Sequence, residues 1–264
     1  MRASGVEIRA MRTATELHAA EDLLARVWIT DKPPLGSSTM MALSHTGNYV
    51  AGAYRRDAPS ELVGCLVGFF GPPDTRSLHS QIAGVDPGFA GAGVGTALKR
   101  HERAWCHDLG ITSMTWTFDP AIARNAYFNI ARLGVGVTDY LDDFYGARTD
   151  GINSGSPTDR LLVTWDLTMD SDDRVPPAPL VDGAVPALVA NANGGPLECD
   201  VDPSAPLVLV GVPHDIELMR RADPAMATAW RIAIRRALSP YIESPKWKVT
   251  GFMKNGSYVV ERAA

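Results

Sequence analysis

The residues with the clearest chemical potential lie in GVDPGFAGAGVGTALKRHERA, residues 84–104. A run of glycine and alanine there leads straight into a helix-forming segment. The first amides of a helix have no intrahelical acceptor and sit at the positive end of its dipole, so such a turn suits a phosphate. Gly91, Ala92, Gly93, Val94, Gly95 and Thr96 supply successive main-chain N–H groups with little side chain in the way. An NTP-binding P-loop needs Gly-Lys-Ser/Thr at this point, and Gly95 is followed by Thr96 and Ala97. A dinucleotide fingerprint needs its first glycine directly after the strand and a third glycine or alanine. Here Asp86-Pro87-Gly88-Phe89-Ala90 intervenes and Thr96 holds the third position.

Other residues could do acid–base or binding work. His79 is the candidate base by residue type, since its pKa lies near neutrality. Strand alternation puts it on one face with Gln81 and Ala83, with Ser80 and Ile82 on the other. Its alternative is a half-buried histidine bonded to backbone. Arg160 presents a fork of donors matched to a carboxylate, and so either binds a substrate carboxylate or pairs with Asp159 or Asp150.

The elements that must position these groups are readable from pattern. A strand at 6–11, a helix over Leu17–Val27 capped by Thr13 or Thr15, a short helix ending near His45, a hairpin 48–55/61–70 and a strand 78–85 lead to the loop. A helix over 93–109 follows, with Val94, Ala97, Leu98, Ala104 and Trp105 on one face and Gly110 as its cap. Then come a strand 111–118, a helix from Asp119-Pro120 to Leu133, and strands around VGVTDYL and 161–167. This succession predicts an α/β domain of α+β type over 1–168. The Pro-, Gly- and Asp-rich 169–205 reads as a linker or irregular crossing. The remainder, 206–264, reads as a strand, a helix and a hairpin about Asn255-Gly256 that packs on the first domain. In the helix, Met226, Ala229, Trp230, Ala233, Ile234 and Leu238 form the apolar stripe, and Arg231, Arg235 and Arg236 read as a solvated face.

The chain has 264 residues, 45% of them hydrophobic, and a net charge of −5, which offers no general basic field for nucleic acid or an anionic membrane. Three widely spaced cysteines without a CxxC pair argue against a disulfide framework or a metal site. No signal peptide or membrane-length apolar run is visible, so a cytoplasmic protein is expected. A homodimer is compatible with the chain.

The pattern Val85-x-Pro87-x-x-Ala90-x-x-Gly93-x-Gly95 between strand and helix resembles the acyl-CoA loop of the GNAT acyltransferase superfamily. It departs from that pattern at Ala90, where glutamine or arginine is usual, and at Ala92, often basic, which leaves binding to backbone amides with help from Lys99, Arg100 or Arg103. The ordered motifs LHSQIAGVDP, TWTFDP, RNAYFN, PTDR, DIELMRRADPAMATAWR and KVTGF resemble a predicted-acetyltransferase family within it, associated with N-succinylamino-acid racemases. That family's first motif reads HSH, and Gln81 replaces the second histidine here. The resemblance implies a GNAT fold, with a mixed, mostly antiparallel sheet flanked by helices. It also implies acetyl-CoA or succinyl-CoA as co-substrate, a small-molecule amine as acceptor and no metal. On that resemblance the Val85 amide stabilises the oxyanion, Asn125 contacts CoA with Phe128 on its helical face, and a tyrosine protonates the thiolate. Arg132 occupies the expected tyrosine position, so Tyr145 becomes the alternative acid, or the thiolate leaves unprotonated. The competing reading is a GNAT-like module that binds acyl-CoA without turnover.

Overall fold

The computed structural model describes residues 5–146, 157–168, 179 and 181–263. Packing divides the chain into two compact units, with the divisions at Trp116/Thr117 and Trp165/Asp166.

The first unit is built on strands β1 (Val6–Ala10), β2 (Tyr49–Arg55), β3 (Leu62–Phe70), β4 (Ser77–Val85) and β5 (Ser113–Phe118) in sequential spatial order. Neighbours are antiparallel except β4 and β5, which run parallel because helix α3 (Val94–Asp108) carries the chain back between them. Helix α1 (Ala14–Trp28) begins with a reciprocal capping box: Thr13 Oγ1 accepts from the Glu16 N–H and Glu16 accepts from the Thr13 N–H. Helices α1 and α2 (Ser37–His45) cover one face of the sheet, where Leu17, Leu23, Leu24 and Met40 pack with Cys65 and Val67. Helix α3 covers the other. A Cβ at Gly64 would lie 3.0 Å from Val94, so only glycine lets α3 approach this closely.

One departure from simple strand geometry matters for function. Val67 pairs with Ile82 and Gly68 with Ser80, which leaves Gln81 as an extra residue, a β-bulge in β4. Before the bulge Ser80 contacts α3 through Lys99, whereas after it Ile82 and Gly84 pack on the α1 side. The expected common face for His79, Gln81 and Ala83 is therefore broken, because one inserted residue inverts every later side chain.

The second unit contains α4 (Ala123–Ala126), the antiparallel pair β6 (Gly136–Leu141) and β7 (Arg160–Asp166), and a second sheet. That sheet has strands β8 (Val185–Ala190), β9 (Pro196–Glu198), β10 (Leu207–Gly211), β11 (Trp247–Met253) and β12 (Ser257–Arg262) in the order β11-β12-β10-β8-β9. Helices α5 (Ile216–Ala222) and α6 (Pro224–Glu243) belong to the same unit. The turn at Asn255-Gly256 closes the β11–β12 hairpin with Gly256 left-handed at φ +89°. Two strands, β8 and β9, lie inside the Pro- and Gly-rich stretch, because the apolar alternation around Ala187 and Leu188 finds a partner in β10 that no local pattern announces. The helix expected up to Leu133 stops being α-helical at Tyr127 and continues as a π-helical turn, Tyr127–Leu133. On α6 the buried stripe is Ala227, Trp230, Arg231, Ala233, Ile234 and Leu238, while Ala229 is exposed.

Candidate functional site

The loop after β4 is shaped by local forces. The Asp86 carboxylate accepts from the Gly88 N–H at 2.9 Å and starts a 3-10 turn, Pro87–Phe89. Gly91 and Gly93 then take left-handed φ values of +76° and +85°, which a side chain would strain. Gly93 is the N-cap of α3 and has no side chain with which to cap it. The first internal helix bond is Ala97 N–H to the Gly93 carbonyl at 3.0 Å, so the amides of Val94, Gly95 and Thr96 have no intrahelical acceptor. Ala92 is a correction, since its N–H is already donated to the Phe89 carbonyl at 3.2 Å and is not available to a ligand. Lys99 is another. It is buried, donates to Ser80 Oγ at 2.6 Å and to Glu102 at 3.2 Å, and lies over the Trp116 ring. Burial pushes the Lys99 pKa down and the Glu102 pKa up. Beside the loop a pocket of about 360 Å³ is lined by Val6, Arg55, Arg56, Phe89, Ala92 and Val94.

At the end of β4 the sheet opens. Pairing with β5 covers only Ser77–His79 opposite Ser113–Thr115, so Ser80–Val85 have no β5 partner among the described residues. The Asp86 N–H points back to β3, donating to the Val63 carbonyl at 2.9 Å. Successive strand amides alternate in direction, so the Val85 N–H points to the open edge. His79 stands where the pairing ends. Its Nδ1 is 3.1 Å from Thr115 Oγ1 and its ring packs on Phe69, with centroids 5.2 Å apart. Burial, reinforced by the Lys99 charge, lowers its pKa, so the ring is neutral near pH 7 and can accept a proton.

The second unit holds the other candidates. Asn125 and Phe128 are both half-buried, and Arg132 is exposed. Because the turn from Tyr127 widens to π geometry, α-helical spacing no longer predicts which of these residues share a face. Tyr145 and Arg160 are brought together, the guanidinium lying 5.1 Å from the ring centroid. The Tyr145 hydroxyl is 3.4 Å from Thr117 Oγ1. Arg160 does not pair with the Asp159 carboxylate but donates to its main-chain carbonyl at 2.9 Å. That carboxylate is taken by the Tyr140 hydroxyl at 2.9 Å and by Arg235. Asp150 lies outside the described residues.

Asp119, Arg220 and Arg231, none of them a candidate site residue in the sequence, converge in the second unit. Asp119 Oδ2 accepts from Arg220 at 2.6 Å and from Arg231 at 2.7 Å, with Arg160 Nη1 at 3.8 Å. Burial alone would raise the Asp119 pKa, but Arg231 and Arg220 outweigh it and hold the carboxyl well below the usual range. Arg231 and Arg235 are thus not the solvated face expected, and only Arg236 is largely exposed. A signal existed: Arg231 interrupts the apolar stripe Ala227, Trp230, Ile234, Leu238, and an arginine on a buried face demands a buried acid.

No family model matches the sequence, and no curated protein matches it. Solved structures do match its fold. The ribosomal-protein-S18-alanine N-acetyltransferase from Escherichia coli superposes with TM-score 0.51 at 16% identity, over 63% of this chain and 97% of that one. An N-acetyltransferase from Staphylococcus aureus Mu50 gives TM-score 0.50 at 13% identity, over 61% of this chain and 98% of its own. The fold is that of the GNAT acetyltransferases. At these identities the likeness concerns architecture, and over a third of the present chain has no counterpart in either structure. Among the described residues no group of three or more His, Cys, Asp or Glu is placed to hold a metal, and no helix is long and apolar enough to cross a membrane.

Proposed function

We propose that this chain is a CoA-dependent N-acyltransferase that moves an acetyl or succinyl group to the amine of a small molecule, an amino acid being the leading acceptor. The reading places it in the cytoplasm and nearest the predicted acetyltransferases associated with N-succinylamino-acid racemases. One observation carries it. Strand β4 leaves β5 after His79, turns the Val85 N–H to the open edge, and runs into a loop with left-handed glycines, after which the amides of Val94, Gly95 and Thr96 have no acceptor among the described residues.

In this reading those amides, with the α3 dipole, hold the pyrophosphate of acyl-CoA, and Asn125 and Phe128 are further contacts. The acceptor is a free amine with pKa of about 10 if lysine-like, so a base must act first. Neutral His79 takes that proton, directly or through water. The amine nitrogen bonds to the thioester carbonyl carbon, the Val85 N–H stabilises the resulting oxyanion, and the C–S bond breaks as the carbonyl re-forms, the nitrogen releasing its surplus proton to water. Tyr145 is the candidate donor to the departing thiolate.

Thiol release from acetyl-CoA and succinyl-CoA, measured against a panel of amines, tests the proposal. Acceptor-dependent release supports it; none with any amine removes it. Tight CoA binding without release would instead favour a non-catalytic acyl-CoA sensor, the reading that Ala90 and exposed Arg132 lend weight to.

A further inference from the structure

We propose that the second unit carries a carboxylate-binding pocket formed by Arg160 and Arg231, with Asp119 as the fixed counter-ion that holds the guanidiniums in place. The inference rests on the acyltransferase reading only for where the carboxylate comes from: the acceptor, or the distal end of a succinyl donor.

The argument is one of unmet donors. Asp119 already accepts three hydrogen bonds: Oδ2 from Arg220 and Arg231, and Oδ1 from the Ala121 N–H at 2.9 Å. Arg160, 3.8 Å from Oδ2, lies beyond hydrogen-bond reach of it. The other nearby carboxylate, Asp159, is fully engaged by Tyr140, Arg235 and the Asp143 N–H. Arg160 therefore uses one N–H, on a main-chain carbonyl, and its remaining fork has no hydrogen-bond acceptor among the described residues. Arg231 is only 3% exposed, and its Nη1 is buried with no hydrogen-bond partner among the described residues. A buried guanidinium nitrogen left unsatisfied is costly, and arginines crowded at low exposure repel one another unless an anion joins them. The Tyr145 ring lies against the Arg160 guanidinium, its centroid 5.1 Å from the guanidinium carbon. A two-oxygen acceptor matches such a fork bidentately; a phosphate can do so as well, and the carboxylate is the class that the acyltransferase reading supplies.

Titration calorimetry on the full chain provides a test independent of turnover, with succinate, N-acetylglycine and inorganic phosphate as probes. Heat from succinate or N-acetylglycine, weak or no heat from phosphate, and loss of that heat in Arg160→Gln support the pocket. Equal binding of phosphate, or heat retained in Arg160→Gln, overturns it. Thermal unfolding checks that the variant folds, and Arg231→Lys, which keeps the charge but loses the fork, is the second variant. Kinetics then locate the source. With acetyl-CoA as donor, the preference for an amino acid over its amide, read as a ratio of KM values, falls about tenfold in Arg160→Gln if the acceptor supplies the carboxylate. If the donor supplies it, the preference for succinyl-CoA over acetyl-CoA falls instead, and neither ratio moving overturns the pocket. A wild-type chain that releases no thiol defeats the acyltransferase reading alone, and the calorimetry still decides the pocket.

Discussion

In the first unit one lysine is buried against one carboxylate: Lys99 meets Glu102 and Ser80, and Trp116 covers the ammonium. In the second unit one carboxylate, Asp119, is approached by Arg160, Arg220 and Arg231. The first cluster is balanced in charge, with its one donor cation, Lys99, engaged by Ser80 and Glu102, although Glu102 Oε1 is buried without a hydrogen-bond partner among the described residues; that balance suits a part that holds α3 on β4. The second leaves donor nitrogens of Arg160 and Arg231 without a hydrogen-bond acceptor among the described residues. The difference teaches that buried charge by itself does not mark a ligand site. What marks one is a donor the protein built in and did not satisfy.

The sharpest way to break this comparison is to remove the shared acid. Asp119→Asn leaves buried guanidiniums without their counter-ion and should cost about 3–5 kcal/mol of stability, measured by denaturant unfolding. A loss below about 1 kcal/mol would mean the arginines are already satisfied elsewhere. The balanced cluster should behave differently. Lys99→Met strands a buried carboxylate and costs about 3 kcal/mol, whereas Lys99→Met with Glu102→Leu recovers most of that loss, because an apolar pair replaces a balanced ion pair at little cost. Failure to recover would give the first cluster a role beyond packing.

A smaller effect separates backbone chemistry from side-chain chemistry. Apart from its own chain neighbours, nothing among the described residues lies within 4 Å of where a Gly93 Cβ would stand, but φ is +85°, so Gly93→Ala should cost about 1–2 kcal/mol in stability through strain alone. CoA affinity, measured by calorimetry, should fall by about tenfold or more, since a loop that relaxes from the left-handed region re-aims the helix-start amides. Unchanged affinity would remove the loop from the site. The smallest expected effect is in pH. Burial and Lys99 both depress the His79 pKa, so the ring stays neutral down to below the ordinary histidine value of about 6.5. With His79 as base, kcat/KM should hold as pH falls through that value and decline only below it. His79→Gln should abolish that acid limb. The depressed pKa also means that His79 favours the fold fully above the unfolded-state value and loses that contribution as pH falls below it.

Much of the first unit was legible because its signals are local. Glycines with left-handed φ, an aspartate that caps a turn, and an amphipathic helix after them are all decided within a few residues, so the loop and its turn into α3 could be read directly from residues 84–104. The same reasoning misread Lys99 as a surface aid to phosphate, because helical periodicity cannot tell a lysine on the sheet-facing side from one beside it when a serine and a glutamate stand ready to receive it. Gln81 looked like one more step in an alternating strand; only pairing with β3 exposed the bulge. The π-helical turn at Tyr127–Leu133 likewise altered which neighbours share a face without changing a residue.

By itself the sequence determined the order of most elements, the glycine turn into α3 and the candidate amides at its start, since each depends on backbone preferences over short spans. Only the tertiary structure decided that β4 parts from β5 at His79, that Lys99 turns inward, and that Arg160, Arg220 and Arg231 converge on Asp119. Those outcomes depend on pairing and burial between residues up to 112 positions apart. Burial is what converts an ordinary surface charge into one that must find a partner.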